Sequence, residues 1–508
     1  MHAPKYSPSK PSILFTNLTL AARSGSELHT LELAKAFLKK GWDVTCYTLV
    51  LAYPIQGHFK QAGINVVEFG EEDRLSSHYT ILYSQHHIVS DFIWDCVDVT
   101  FDKIVLSSLG PFSEHEKLPS FSSEADLQVF VSDETRQQNG LNISNSNSFV
   151  FPNSIDFSQL NTQAKRTLPN KPKRIAVISN HVASELMELG ELVGPGTQIN
   201  YLGIENQSVE ITPELVASYD LVISIGRTVP LCFAVKTPLY CYDIFGGPGY
   251  ITPTSIEKDF FFNFSGRSNR SKKNATQLFS DIFDGYEQAS SNTDYMQKYA
   301  MEKLNFETNF EHLYSRITSS GNQTPAQHRQ KCSELVAINR KSQCMSFIDN
   351  YSCMLGLAQL FFTHNGASIN EENSVLFKYC YRTTIEATHI IQDNLDKGEC
   401  VRFDPDIRPV YCKLFSGTNA IPHNSEKTSR KLDVFITEDP IYDGKMDELT
   451  FSCIKLSEYD LCQEYRRLRA ESEASLAQLE VELNSAKINI LQQKEPLPKK
   501  LLKRLHWK

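Results

Sequence analysis

Residues Tyr219–Tyr250 read YDLVISIGRTVPLCFAVKTPLYCYDIFGGPGY. Leu221–Ile225 is an apolar run broken by one serine, the pattern of a strand covered on both faces. Gly226 permits a sharp turn into a helix whose first turn carries Arg227 and Thr228. The free N–H groups and positive dipole end of a helix N-terminus suit a phosphate. Arg227 can add a bidentate, charge-assisted contact. Leu239–Tyr242 reads as a second buried strand. It empties into Asp243-Ile244-Phe245-Gly246-Gly247-Pro248-Gly249, a loop where backbone can approach a ligand closely. Two parallel strands ending in such loops make the crevice in which open α/β sheets bind ligands. The same spacing also suits an ordinary βαβ unit with glycine turns, so the flanking sequence has to decide.

N-terminal to this stretch the same alternation occurs twice. Ile13–Asn17 reads as a strand, and Leu28, Leu31, Ala34 and Leu38 fall at helical spacing behind it. Ser24 and Glu27 form a capping box, and Lys39-Lys40-Gly41 closes the helix. Strands follow at 43–49, 64–69, 80–84, 103–107 and 127–131, with helical pieces at 89–96 and 133–138. The glycine at the first strand-to-helix turn is not part of GxGxxG, so a dinucleotide fingerprint is absent. A polar, Lys/Pro-rich linker spans 161–173, and alternation restarts at Arg174–His181, with a helix at 183–192 and a strand at 199–203. The pattern from Asp294 to Thr318 is helical. Two α/β halves joined by a hinge imply a cleft between them.

Beyond Ser319 the composition changes. Residues 320–327 read as a linker, and short β-like runs bounded by turn residues fill 354–454, as in a β-sandwich. The expected domains are therefore 1–160, 174–318, 330–456 and a helical segment with a basic tail at 457–508. In that tail Lys494, Lys499, Lys500, Lys503, Arg504 and Lys508 alternate with leucines and Trp507. This suits an anionic membrane surface or an acidic partner, and equally a solvated tail.

Composition narrows the function classes. The 508 residues carry a net charge of −9, which disfavours broad nucleic-acid binding. Met1–Lys10 is polar and no apolar run approaches ~18–20 residues, so neither a secretory leader nor a membrane span is expected. Twelve cysteines without a CxxC pair fit a reducing, cytoplasmic compartment better than zinc or a disulfide framework.

Several segments together resemble one family. Gly25–Ala34 resembles the first-loop glycine and helix of two-domain (GT-B-type) nucleotide-sugar glycosyltransferases with paired Rossmann-like halves. Phe151-Pro152-Asn153-Ser154-Ile155-Asp156 is similar to their PNG(V/I)D hinge strand, with Ser154 in place of glycine. Gly226-Arg227-Thr228 through Pro238 resembles their donor segment, G-R-S-x-x-E-A-M-A-x-G-x-P. Asp243–Tyr250 and Asn263–Arg267 look like bacterial surface-polysaccharide members, and Arg402–Pro405 looks like β-sandwich modules attached to such enzymes. One position departs from the pattern. The donor-site glutamate, which accepts from ribose hydroxyls, falls on Leu231, so that contact would have to move to Asp243 or Glu185.

The resemblance implies a metal-independent transferase that moves a sugar from a nucleotide-sugar donor to a glycan or glycolipid acceptor, with retention of configuration. It would act in the cytoplasm or on the cytoplasmic membrane face. A degenerate glycan-binding or scaffold subunit is the alternative. Gly25, Ser26, Ser179, Asn180, His181, Gly226, Arg227, Thr228, Asp243, Gly246, Gly247 and Gly249 would form the donor site. Arg227 would neutralise the leaving diphosphate. His86, His87 and His115 are the candidate acceptor-side catalytic residues, with Glu27 and Glu114 behind them. Each also has a plain structural reading as a turn glycine, a salt bridge or a cap. Asp404-Pro405-Asp406 spells DxD but sits in the β region, so no metal site is assigned to it.

Overall fold

The apolar runs become two parallel sheets, each wrapped by the helices that the 3.6-residue periodicity marks. The computed structural model describes residues 10–139, 147–158, 160, 167–203, 209–319, 333–364, 369–416, 420–422, 425–427, 433–435 and 440–457, with residues 467 and 478. The first lobe comprises β1 (Ser12–Leu20), α1 (Gly25–Lys39), β2 (Asp43–Leu51), α2 (Ile55–Gln61), β3 (Asn65–Glu68), β4 (His78–Gln85), α3 (His87–Cys96), β5 (Thr100–Ser108), β6 (Leu127–Phe130), α4 (Asp133–Gln138) and β7 (Ser148–Val150). Its seven strands lie in the order β3-β2-β1-β4-β5-β6-β7. All are parallel. Strand order reverses between β1 and β4, and the crevice outside such a switch point is where α/β sheets bind ligands.

The second lobe comprises β8 (Arg174–Ile178), α5 (Ser184–Leu192), β9 (Gln198–Leu202), α6 (Pro213–Ala217), β10 (Leu221–Ser224), α7 (Thr228–Ala234), β11 (Leu239–Asp243), β12 (Gly246–Tyr250), α8 (Ile256–Phe261), α9 (Ala275–Ser291), α10 (Thr293–Lys303) and α11 (Phe306–Ser319). Its sheet runs β12-β11-β10-β8-β9. The expected glycine loop after β11 is instead a tight hairpin, with β12 antiparallel to β11 at the sheet edge. A Cβ on Gly246 would lie 2.6 Å from the Ser271 carbonyl oxygen, and one on Gly247 would lie 2.1 Å from that of Cys241. These glycines serve close packing of protein on protein.

The single helical stretch expected at 294–318 is two helices that belong to different cores. Met296, Tyr299 and Ala300 of α10 pack in the second lobe. Phe310, Leu313 and Ile317 of α11 cross back and pack with Phe37 and Trp42 in the first. The chain thus crosses between lobes twice. The two crossings lie side by side, joined by Ile155 N–H to Leu304 O (2.8 Å) and Phe306 N–H to Ile155 O (2.9 Å). The expected hinge strand 151–156 is this strap, not a member of either sheet.

Behind α11 come α12 (Glu334–Ser352), β13 (Leu355–Thr363), β14 (Ser374–Cys380), β15 (Ile385–Glu386), α13 (Thr388–Gln392), β16 (Glu399–Asp404), β17 (Val410–Ser416), β18 (Ile421–Pro422), β19 (Glu426–Lys427), β20 (Asp433–Phe435), β21 (Tyr442–Asp443) and β22 (Thr450–Lys455). Two five-stranded antiparallel sheets, β14-β13-β16-β21-β18 and β15-β22-β17-β20-β19, close on one core that includes Leu360, Phe403, Phe451 and Tyr442. Ahead of the expected β-like runs stands a helix, α12, which the sequence reading did not mark. Through Cys344, Phe347, Ile348 and Tyr351, α12 packs into the first lobe's core. Arg340 binds Asp95 (2.8 Å) and Asp91 (3.1 Å) of α3. Tyr53 exchanges backbone hydrogen bonds with Lys378 and Cys380, so the β module is docked on the first lobe. The expected helical segment and basic tail lie outside the described residues, apart from 457 and two isolated positions. No helix among the described residues is long and apolar enough to cross a membrane.

Candidate functional site

A cleft of about 660 Å³ opens where the carboxyl ends of both parallel sheets face each other. From the second lobe it is walled by Ile178–His181 at the end of β8, Leu202 and Gly203 at the end of β9, Ser224, Ile225, Arg227 and Thr228 at the end of β10 and Asp243 at the end of β11. From the first lobe come Arg23, Ser24 and Gly25, followed by Leu28 and Glu32 on the same face of α1. Thr383 of the β module completes the rim.

The first-lobe wall is held by one buried carboxylate. Glu27 accepts from the N–H groups of Ala21 (2.8 Å), Ala22 (3.0 Å) and Ser24 (2.9 Å), and from the Thr19 hydroxyl (3.1 Å). This shapes the loop between β1 and α1 and fully occupies the side chain, so Glu27 is an anchor and not a free base. Nothing lies within 4 Å of a Cβ built on Gly25; the position is open toward the cleft.

In the second lobe Gly226 adopts φ +58°, a turn that favours glycine, and sets Arg227 and Thr228 on the cleft wall. The helix behind them, α7, has only seven residues. The positive charge at this point therefore lies with the Arg227 side chain. Arg227 forms an ion pair across the cleft with Glu32 of α1. Desolvation raises the Glu32 pKa, and the Arg227 guanidinium opposes the rise. One helical turn earlier, His29 is buried with Nε2 unpartnered. Burial first, then the nearby Arg227 charge, pushes its pKa down to about 3. Asp243 accepts from the Ser179 hydroxyl at 3.2 Å, and burial raises its pKa. Leu231 lines the cleft from α7. Of the two carboxylates considered as its substitutes, Asp243 lines the cleft; Glu185 instead accepts from Tyr242 Oη at 2.8 Å.

Gly25, Ser179, Asn180, His181, Arg227, Thr228 and Asp243 are thus brought together. Ser26 is not among the cleft-lining residues; its backbone carbonyl accepts from Asn17 Nδ2 (3.2 Å) and from the Thr30 hydroxyl (3.1 Å). Gly226 supplies the turn. Gly246, Gly247 and Gly249 belong to the β11–β12 hairpin and are not among the cleft-lining residues.

The three histidines gather at the carboxyl ends of β4 and β5, off the cleft walls. Leu18 N–H donates to His86 Nδ1 (3.0 Å), which leaves Nε2 to carry the ring proton and donate to Glu116 (3.2 Å). His86 is therefore a strut between β1 and the loop after β5, at φ +63°. His87 Nδ1 lies 3.4 Å from the His115 carbonyl oxygen. Burial, followed by the charges of His86 and His87, lowers the His115 pKa. Glu114 pairs with Lys117 at the surface.

The sequence reading missed Arg23, Glu32 and Thr383. Glu32 was findable, because 25, 28 and 32 share one helical face. Arg23 sits two residues before the helix in a loop already singled out. Thr383 reaches the cleft only through the docking of the β module. Among the described residues no group of three or more His, Cys, Asp or Glu side chains is arranged to hold a metal ion.

Several solved structures are similar to this chain at low identity and low TM-score. A glycosyltransferase from Rickettsia africae ESF-5 is 12% identical, covering 62% of this chain and 100% of its own, with a TM-score of 0.38. A lipopolysaccharide outer core galactosyltransferase is 13% identical, covering 61% and 99%, with a TM-score of 0.41. Sucrose-phosphate synthase from Thermosynechococcus elongatus is 11% identical, covering 61% and 100%, with a TM-score of 0.38. No family model matches the chain, and no curated protein matches it. At these identities no residue role transfers from the solved structures.

Proposed function

We propose that the chain is a glycosyltransferase that moves a sugar from a nucleotide-sugar donor to a growing surface glycan. The observation that carries this reading is the placement of Arg227 in a cleft formed by the carboxyl ends of two parallel sheets. The cleft volume of about 660 Å³ falls in the ~300–1,000 Å³ range of small-molecule sites. The diphosphate would lie against Arg227 and the Ser179–His181 turn. There the guanidinium would offset the charge that develops as the sugar–phosphate bond breaks. Gly25, with open space where a side chain would stand, would leave room for the donor sugar beside α1. The acceptor would approach from the first lobe, and its hydroxyl proton would be taken by His87 or His115, since both ring nitrogens of His86 are engaged. Those rings do not line the cleft, so this last assignment needs lobe closure or an acceptor that spans the gap. Retention of configuration and a metal-independent reaction are part of the proposal, as is action in the cytoplasm or on its membrane face.

Leu231 on the cleft wall favours a second reading, a degenerate glycan-binding subunit, because its side chain cannot accept from a ribose hydroxyl. Release of nucleoside diphosphate from a panel of nucleotide sugars separates the two. Turnover supports the transferase. No release with any donor, together with retained glycan binding, overturns it. The anomeric configuration of the product tests retention.

A further inference from the structure

The outward face of the β14-β13-β16 sheet carries a groove of about 420 Å³ that shares no lining residue with the cleft. Strand alternation sends Ala358, Leu360, Phe362 and Phe403 into the module's core. Leu357, Gln359, Phe361, Arg402 and Asp404 line the groove instead. Cross-strand register sets Gln359 opposite Asp404 and Phe361 opposite Arg402.

The polar groups are fixed before any ligand arrives. Asp404 grips the Arg402 guanidinium through Nε and Nη2, both at 2.7 Å. The guanidinium lies 4.9 Å from the Phe361 ring centroid. The Gln359 amide donates to Glu371 and to Ser374 Oγ at 2.8 Å. Asp406 is taken up by the hydroxyls of Tyr379 (3.0 Å) and Tyr381 (2.7 Å) and by Arg408. It holds the groove's shape. Ile369 and Ile407, 42% and 56% exposed, supply apolar edges.

Flat hydrogen-bonding pairs beside apolar edges match a sugar ring, which presents hydroxyls at its rim and C–H groups on its faces. Three carboxylates, Glu371, Asp404 and Asp406, against the two guanidinium groups of Arg402 and Arg408 leave the groove net negative and a poor host for phosphates or other anions. Preset side chains also lower the entropy cost of holding a flexible ligand.

We infer that this groove is a second glycan site, which holds a neutral, hydroxyl-rich sugar chain outside the cleft. The choice of a glycan as occupant rests on the transferase reading. The same sheet face carries Lys378, paired with Leu357 in register and bound to Glu68 of the first lobe. A chain held in the groove thus lies on the side of the module that meets the acceptor lobe.

The test applies the full chain, without nucleotide, to immobilised neutral and acidic oligosaccharides and to a synthetic peptide of residues 494–508. Retention on neutral oligosaccharides is expected, falling at least tenfold in Gln359→Ala and in Glu371→Ala, with melting temperatures unchanged. Retention on acidic glycans or the basic peptide alone overturns the inference. So does the absence of any retained glycan, or retention that neither substitution lowers. Donor turnover is measured separately: neutral glycan binding without turnover supports the groove and removes the transferase reading, and turnover without glycan binding does the reverse.

Discussion

Arg227 of the second lobe and Glu32 of the first form an ion pair across the cleft. The cation proposed to meet a diphosphate is thus held by a carboxylate of the opposite lobe. A diphosphate brings more negative charge than one carboxylate and should displace it. A hydrogen bond to a charged group contributes about 1.5–3 kcal/mol, so Arg227→Ala should weaken nucleoside diphosphate binding about 10- to 100-fold. Glu32→Gln removes the competing charge and should tighten it. Titration calorimetry with a panel of nucleoside diphosphates reads both, and unchanged binding in Arg227→Ala rules out the assignment.

A second interlobe pair joins Arg267 to Glu134 of α4, with Nε and Nη2 both engaged (2.9 and 2.6 Å). Glu134 is nearly buried, and breaking one partner of such a pair costs roughly 3–5 kcal/mol. Arg267→Met should therefore loosen the lobes and raise the radius of gyration in small-angle scattering. An unchanged scattering curve would show that other contacts hold the lobes together.

His29 makes stability sensitive to acid. Its folded pKa is about 3, against about 6.5 in an unfolded chain. Between those values the unfolded chain binds a proton that the folded chain refuses, so stability falls as pH falls through that window. The slope from this one group is up to roughly 1.4 kcal/mol per pH unit. Urea unfolding of wild type and His29→Gln between pH 7 and 4 should show a shallower acid limb in the variant. Parallel limbs would mean that His29 is not held neutral.

The α12 helix is pinned by one arginine. Arg340 lies between Asp91 and Asp95 and donates to Ser120 Oγ at 3.1 Å. Arg340→Leu leaves Asp91 buried and without its cation, and should speed amide hydrogen exchange across 334–352 by at least tenfold. Exchange as slow as in wild type would assign the docking to the apolar face of Cys344, Phe347, Ile348 and Tyr351.

The parallel sheets were legible because Leu221–Ile225 and its counterparts are unbroken apolar runs flanked by helical periodicity, and this local signal survives folding. The second-lobe half of the cleft followed from it, since Ser179, Arg227 and Asp243 each stand at a strand's carboxyl end. The hairpin at Gly246–Tyr250 was hidden because glycine spells both an open loop and a close-packed strand; only the neighbouring carbonyls of Cys241 and Ser271 distinguish them. That the histidines stand off the cleft walls was not legible, because spacing cannot reveal that His86 ties β1 to the loop after β5. In α12 the positions 344, 347, 348 and 351 do carry helical spacing, obscured by the polar residues between them. The break at Leu304-Asn305 sends two similar patterns to different cores, a distinction made only by tertiary packing.

The twin crossings at Ile155 and Leu304–Phe306 reduce the lobes' relative motion to few degrees of freedom. Two adjacent straps bonded to each other resist sliding and separation but permit rotation about their common line. The β module is docked on the first lobe, so any such rotation would change the distance between Thr383 and Arg227, which both line the cleft. Opening and closing would then be one swing that changes donor access and the module's position together.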